Sequence, residues 1–175
     1  EETGREQARA GEESAGQVSE RSQLHLRRAV ELALDGVQKN AGGPFGALVV
    51  RGDEVLGESY NRVLEKNDPT AHAEIEAIRA ACARSASFDL AGCELYASCE
   101  PCPMCLGAIY WARLKRVVFA SDREDAARAG FDDARFYVEL ERQSDQRTLP
   151  LVRLSIEGAR APFDSWLAKR DRRPY

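Results

Sequence analysis

The sequence predicts a three-layer α/β/α domain, a mixed five-stranded sheet with helices on both faces. Three observations lead there. Apolar residues switch between helical and strand periods along one continuous stretch, in the order α-β-β-α-β-α-β-α-α-β-α. At 175 residues the chain is long enough for one domain with a real core and short for two. Hydrophobic residues make up 43% and charged residues 31%, the mixture of a globular domain.

Residues 1–20 lack apolar periodicity and read as a polar, disordered extension ahead of a domain spanning 21–175. They hold six acids and two bases, so the net charge of −4 lies in this stretch and the rest is neutral. A phosphate-binding surface needs a basic surplus, and none is visible, so no nucleic-acid partner is expected. The run Lys169-Arg170-Asp171-Arg172-Arg173 reads as a solvated tail. No apolar stretch approaches the roughly 20 residues of a spanning helix, so no membrane partner is expected either.

Helical patterning starts near Ser22, a candidate N-cap, with Leu26, Val30, Ala33, Leu34 and Val37 at helical spacing. Gly42-Gly43-Pro44 stops it. Phe45–Val50 and Glu54–Tyr60 read as a hairpin turning at Arg51-Gly52-Asp53. A polar loop, Asn61–Ala71, leads to a helix from His72 to about Ala83. Cys93–Ala97 is a short strand, and Pro103–Ala112 a helix opened by proline. Arg116–Ala120 is a β-branched strand, followed by a helix from about Glu124 to Ala129 and another over Ala134–Arg142. Leu151–Ile156 reads as the fifth strand and Phe163–Lys169 as the last helix.

The chemistry concentrates in two short segments, Thr70-Ala71-His72-Ala73-Glu74 and Cys99-Glu100-Pro101-Cys102-Pro103-Met104-Cys105. Cys102 and Cys105 stand three apart, so a helix starting there puts both sulfurs on one side, one turn apart. A helix N-terminus favours the thiolate that binds metal. His72 adds an imidazole from the start of another helix. Two sulfurs and one nitrogen suit Zn²⁺ and leave a fourth tetrahedral position for water. Glu74 is a carboxylate near the metal but outside its ligand set, able to take a proton from the bound water and return it to a substrate. The competing arrangement is a closed structural site with Cys99 as fourth ligand. Cys82 and Cys93 read as core, and His25 as a surface residue of the first helix. Five cysteines, three of them within seven residues, suit a reducing compartment, so the expected location is cytoplasmic.

His-x-Glu followed by Pro-Cys-x-x-Cys is the pattern of the zinc nucleobase deaminases. The chain resembles their cytidine-deaminase-like branch, and within it the small guanine deaminases of bacteria and plants, over residues 21–175. The blocks carrying the resemblance are Gly42-Gly43-Pro44-Phe45-Gly46-Ala47, Asn67 to Glu74 and Cys99 to Ala112. The parts that discriminate among deaminases are Tyr110-Trp111-Ala112, Ala129-Gly130-Phe131-Asp132-Asp133, Pro162-Phe163, Trp166 and Tyr175.

That resemblance implies one zinc per subunit on His72, Cys102 and Cys105, and a cytidine-deaminase-like fold. It implies hydrolysis of guanine to xanthine and ammonia through zinc-bound hydroxide, with Glu74 and Asp133 moving protons. Phe45 would stack on the purine, Asn61 would hydrogen-bond its edge, and Trp111 would wall the pocket. Ala73 and Asp133 join the substrate contacts, and Tyr175 closes the site. The resemblance also implies a homodimer exchanging a segment of about 160–175, with Tyr175 completing the partner's pocket. Plainer roles stand beside these: Phe45 and Trp111 as core aromatics, Asn61 as a loop former, Asp133 as a helix cap before Ala134. Other functions compatible with the zinc motif are tRNA adenosine deamination and a non-enzymatic zinc scaffold.

Overall fold

The computed structural model describes residues 19–174. Most of the polar extension and Tyr175 lie outside the described residues. The elements are α1 (Glu20–Gln38), β1 (Gly46–Arg51), β2 (Glu54–Tyr60), α2 (Val63–Lys66), α3 (Ala73–Ser85), β3 (Glu94–Cys99), α4 (Pro103–Trp111), β4 (Arg116–Ser121), α5 (Arg123–Arg128), α6 (Ala134–Glu141) and α7 (Ala161–Ala168).

Helix α1 begins a turn earlier than its apolar pattern suggests. Ser19, not Ser22, is the N-cap, and its hydroxyl accepts from Ser22 N–H at 3.2 Å. Ser22 is instead buried against the sheet, hydroxyl to hydroxyl with Tyr96 at 3.1 Å. His25 is not a surface residue: its ring lies 4.9 Å from that of Tyr96, and burial lowers its pKa. The face of α1 on the sheet is made of Ala29, Leu32, Ala33 and Gly36. Val30, Leu34 and Val37 point elsewhere and stay exposed. The helix thus carries two apolar stripes, which one periodic pattern cannot separate.

The sheet has four strands, ordered β2-β1-β3-β4, not five. Strand β1 pairs antiparallel with β2 and with β3, while β3 and β4 run parallel. Central β1 is buried on both faces, and its side chains divide by alternation. Ala47 and Val49 join Leu95, Ala97, Ala73, Ala77 and Ile109 in a core under α3 and α4. Leu48 and Val50 join Tyr96 and Ala29 under α1. Close docking of α1 needs a glycine: a Cβ on Gly46 would lie 2.1 Å from the Ala29 carbonyl oxygen.

The expected fifth strand, Leu151–Ile156, forms no ladder among the described residues. Its alternation supplies strand propensity, but a strand exists only against a partner edge, and the chain does not bring this segment to β4. Leu151, Val152, Leu154 and Ile156 are all exposed, as is every described residue from 148 to 174. The loop after β2 holds the single turn α2, which its polar composition hid. No helix among the described residues is long and apolar enough to cross a membrane.

Candidate metal centre and active site

Two helix N-termini converge on one point. His72 is the N-cap of α3 and Cys102 the N-cap of α4, each with extended backbone, and Cys105 sits in the first turn of α4. Pro103 at the start of α4 supplies a preset φ where its missing N–H costs nothing. The turn presenting His72 is closed by Asp68, whose Oδ1 accepts from Thr70 N–H at 2.8 Å and from the Thr70 hydroxyl at 2.7 Å.

Sγ of Cys102 and of Cys105 lie 3.6 and 3.4 Å from His72 Nδ1, and all three donors fall within 4.8 Å of one another. Tetrahedral zinc with ordinary bond lengths needs nitrogen–sulfur separations of about 3.6 Å. The donor set fits. The hydrogen bond with Cys105, helped by the His72 imidazole, pulls Cys102 down to about 4. Facing that anion, the buried Cys105 thiol is pushed up, and the hydrogen bond to Cys102 raises His72. A proton shared this way is displaced when a divalent cation takes the same lone pairs. Cys99 is not a fourth ligand. Its thiol donates to the Asp122 carbonyl at 3.3 Å, and burial pushes it up to about 11.

A cavity of about 480 Å³ opens over His72 and Cys102. Glu74, on the second residue of α3, is buried at 7% exposure and lines it. Burial raises its carboxyl above the ordinary range, and the nearby Cys102 charge adds to this. Asn61 lines it too, buried at 4%. Its Oδ1 accepts from Gly43 N–H at 3.1 Å and Val63 N–H at 3.2 Å, which leaves the carboxamide NH₂ to donate. The loop-forming role read for Asn61 is thus seen directly, and it leaves the NH₂ group uncommitted to those two bonds. Gly42 is required beside it, because a Cβ there would sit 2.1 Å from that oxygen.

Phe45 lines the same cavity, its ring edge-on to Phe131 with centroids 5.0 Å apart. Asp133 stands at the N-cap of α6 but makes no side-chain cap bond. Asp132 does the capping work, accepting from Ala134 N–H at 2.9 Å, while Asp133 lines the cavity. Burial, then the Cys102 charge, raises Asp133, and Arg123 opposes them.

Trp111 ends α4 at 66% exposure, so it is not a core aromatic, and it does not line the cavity of the single chain. Ala73 is fully buried between His72 and Glu74 and does not line the cavity. Sequence reasoning missed Phe131, Phe136, Glu100 and Arg123 as lining residues. Phe131 had a signal, lying in the Gly130-to-Asp133 block; Arg123 had none, because only α5 brings it to the rim.

Residues 19–121 match the family described as the cytidine and deoxycytidylate deaminase zinc-binding region. The chain is 47% identical to the guanine deaminase of Bacillus subtilis over 150 residues, 86% of this chain and 96% of that one. An X-ray structure of guanine deaminase from the same organism superposes with a TM-score of 0.85 at 46% identity, covering 87% of this chain and 98% of that one. Guanine deaminase from Nitrosomonas europaea gives 0.60 at 32%, covering 67% of this chain and 66% of that one. The tRNA-specific adenosine deaminase of Aquifex aeolicus is 45% identical over 78 residues, 45% of this chain and 52% of that one. The likeness to the Bacillus protein thus runs over 150 residues, against 78 for the Aquifex protein. The chain belongs to the cytidine and deoxycytidylate deaminase zinc-binding family, and within it to the guanine deaminases.

Proposed function

We propose that this chain is a zinc-dependent guanine deaminase, converting guanine and water to xanthine and ammonia. The observation that carries the reading is one cavity lined together by His72 and Cys102 of the donor triad, buried Glu74 and the free amide of Asn61. Similarity to a guanine deaminase over nearly its whole length supports the choice of base.

His72, Cys102 and Cys105 would hold the zinc, which when bound would supply the Lewis acidity that ionises water near neutral pH. Glu74 takes the proton that the water loses and passes it to a ring nitrogen as the new C2–O bond forms. Its raised carboxyl suits a group that must both accept and give a proton. Glu74 or Asp133 then takes the proton of the new C2 hydroxyl and gives it to the departing nitrogen, so that the C2–N bond breaks, ammonia leaves and the C2 carbonyl of xanthine remains. Asn61 donates to an acceptor on the purine edge, and Asp133 accepts from an N–H. Phe45 offers its apolar face to the flat ring, and Phe131 braces Phe45 edge-on. Two thiolates needed for the metal suit a reducing cytoplasm.

We place a second copy of the chain against the open groove beside α1. Val30, Leu34 and Val37 line that groove with Pro44, Cys99 and Ala126, enclosing about 220 Å³. Residues 151–168 of the second copy match it chemically: an unpaired strand-like segment and an exposed helix bearing Phe163, Trp166 and Leu167. Tyr175 of that copy closes the site. Light scattering that found a fully active monomer would end this arrangement.

The catalytic reading is tested by ammonia release from guanine, guanosine, adenine, cytosine, cytidine and a tRNA anticodon stem-loop, with Glu74→Ala as blank. Turnover of guanine, lost in the variant, is the expected result. Turnover confined to the RNA would overturn it in favour of editing.

A further inference from the structure

Glu76 is a buried carboxylate with no part in holding metal or moving protons. It lies two residues beyond Glu74, roughly 200° around the axis of α3, so it faces away from the metal and toward the loop before His72. It is exposed by only 7%, and a charge so placed persists only when paired. The Lys66 ammonium, at the end of α2, donates to its Oε2, and Arg79 Nη1 donates to its Oε1 at 2.7 Å. The same Arg79 nitrogen lies 3.7 Å from Asp68 Oδ2. Those attachments pull net against burial, which by itself would raise the carboxyl, and hold Glu76 below its ordinary value.

The loop held in this way carries much of one cavity wall: Asn61, Val63, Leu64 and Pro69. Its first end is pinned by Asn61 Oδ1 and by the Ala41 carbonyl, which accepts from Leu64 and Glu65 N–H at 3.0 Å. Its second end is closed by Asp68 on Thr70. Between the two pins, α2 is tied to α3 by Glu76. Without that tie α2 would keep its backbone bonds to Ala41 but lose the Lys66 link that sets it against α3.

We propose that Glu76 is a positioning residue, setting the distance between the α2 loop and the metal-bearing helix and thereby the fit of the purine against Asn61, Val63 and Leu64. It acts on binding, not on the chemical step. The proposal rests on the guanine reading only for the choice of substrate.

The test uses the zinc-loaded protein and the variants Glu76→Gln, Glu76→Asp and Lys66→Met. Three quantities are measured on each: kcat and KM for guanine, zinc per subunit, and hydrogen-exchange protection of the 62–70 amides. The expected result for Glu76→Gln and Lys66→Met is a KM raised at least about fivefold, with kcat within about twofold, full zinc and faster exchange in 62–70. Glu76→Asp keeps the charge and recovers part of the loss. A lowered melting temperature with KM and exchange unchanged would overturn the proposal, leaving Glu76 a stability element. Loss of zinc with a fall in kcat would overturn it too, since the residue would then act through His72. Lys66 is partly exposed, so its variant keeps the question open to refutation if Glu76→Gln fails to fold. If the wild-type protein leaves guanine unchanged, the substrate reading fails, and the exchange data alone decide the loop.

Discussion

The carboxamide of Asn61 ties Gly43 to Val63 through its oxygen and keeps its NH₂ for the cavity. Asn61→Ala therefore removes a substrate donor and strands two backbone N–H groups, each worth about 1–3 kcal/mol when left unpaired. A rise in KM together with a lower melting temperature is expected, where an ordinary binding residue would show the first alone. Gly42→Ala should imitate it, because the new Cβ collides with that oxygen and the neighbouring Asn61 carbonyl lies only 2.8 Å away, leaving little room to yield. Glu74→Ala should lower kcat by about 10²- to 10⁴-fold, the usual span for a lost acid–base group, with zinc retained by metal analysis. The metal donors were legible because their spacing is local: two cysteines one turn apart and a histidine at a helix start. Arg123 and Phe136 were not, since nothing near them in the chain says which wall they will reach. Trp111, expected at the pocket wall through the family resemblance, is exposed at the end of α4, outside the single chain's own cavity.

Among elements, α1 illustrates how packing decides what periodicity leaves open. Val30, Leu34 and Val37 fit the same helical pattern as Ala33, yet only Ala33 meets the sheet. Helix α1 is further tied to β2 by Arg28, whose guanidinium grips both Glu58 oxygens at 3.1 and 2.6 Å. Arg28 holds the Glu58 carboxyl below its usual 4.5, so this tie is complete above that value and fades as pH falls through the lower folded one. Because both side chains are more than a third exposed, solvent screening limits the gain to about 0.5 kcal/mol. Arg28→Met should melt slightly earlier than wild type at pH 7, and the gap should close once acidification has passed the lowered Glu58 value. Strands show the same limit of local reading: the hairpin β1–β2 is legible because its partner is its neighbour, whereas Leu151–Ile156 has the pattern of a strand without an edge to pair with.

For the whole molecule, the described C-terminal segment is the odd part. Ending the chain after Arg142 removes no buried side chain among the described residues, so the shortened protein should fold with little change in melting temperature. Under the two-copy arrangement it should become monomeric by light scattering and lose activity. Chelation should act at the same scale. Since α3 and α4 both begin at the metal, stripping zinc should lower the melting temperature by more than the loss of any single hydrogen bond, and restored zinc should reverse it. The α/β layering and helix order were readable from alternation and caps. The missing fifth strand was not, because its pairing is a property of distant parts of the chain.

The three donors and Glu74 all fall within residues 19–121, while Arg123, Phe131, Asp133 and Phe136 complete the cavity from beyond that boundary. The zinc donors thus sit in one stretch of the chain, while part of the wall that meets a bound ring is borrowed from a later one. Substitutions at Phe131 or Phe136 should therefore change which ring is accepted and leave the zinc content of the protein unchanged.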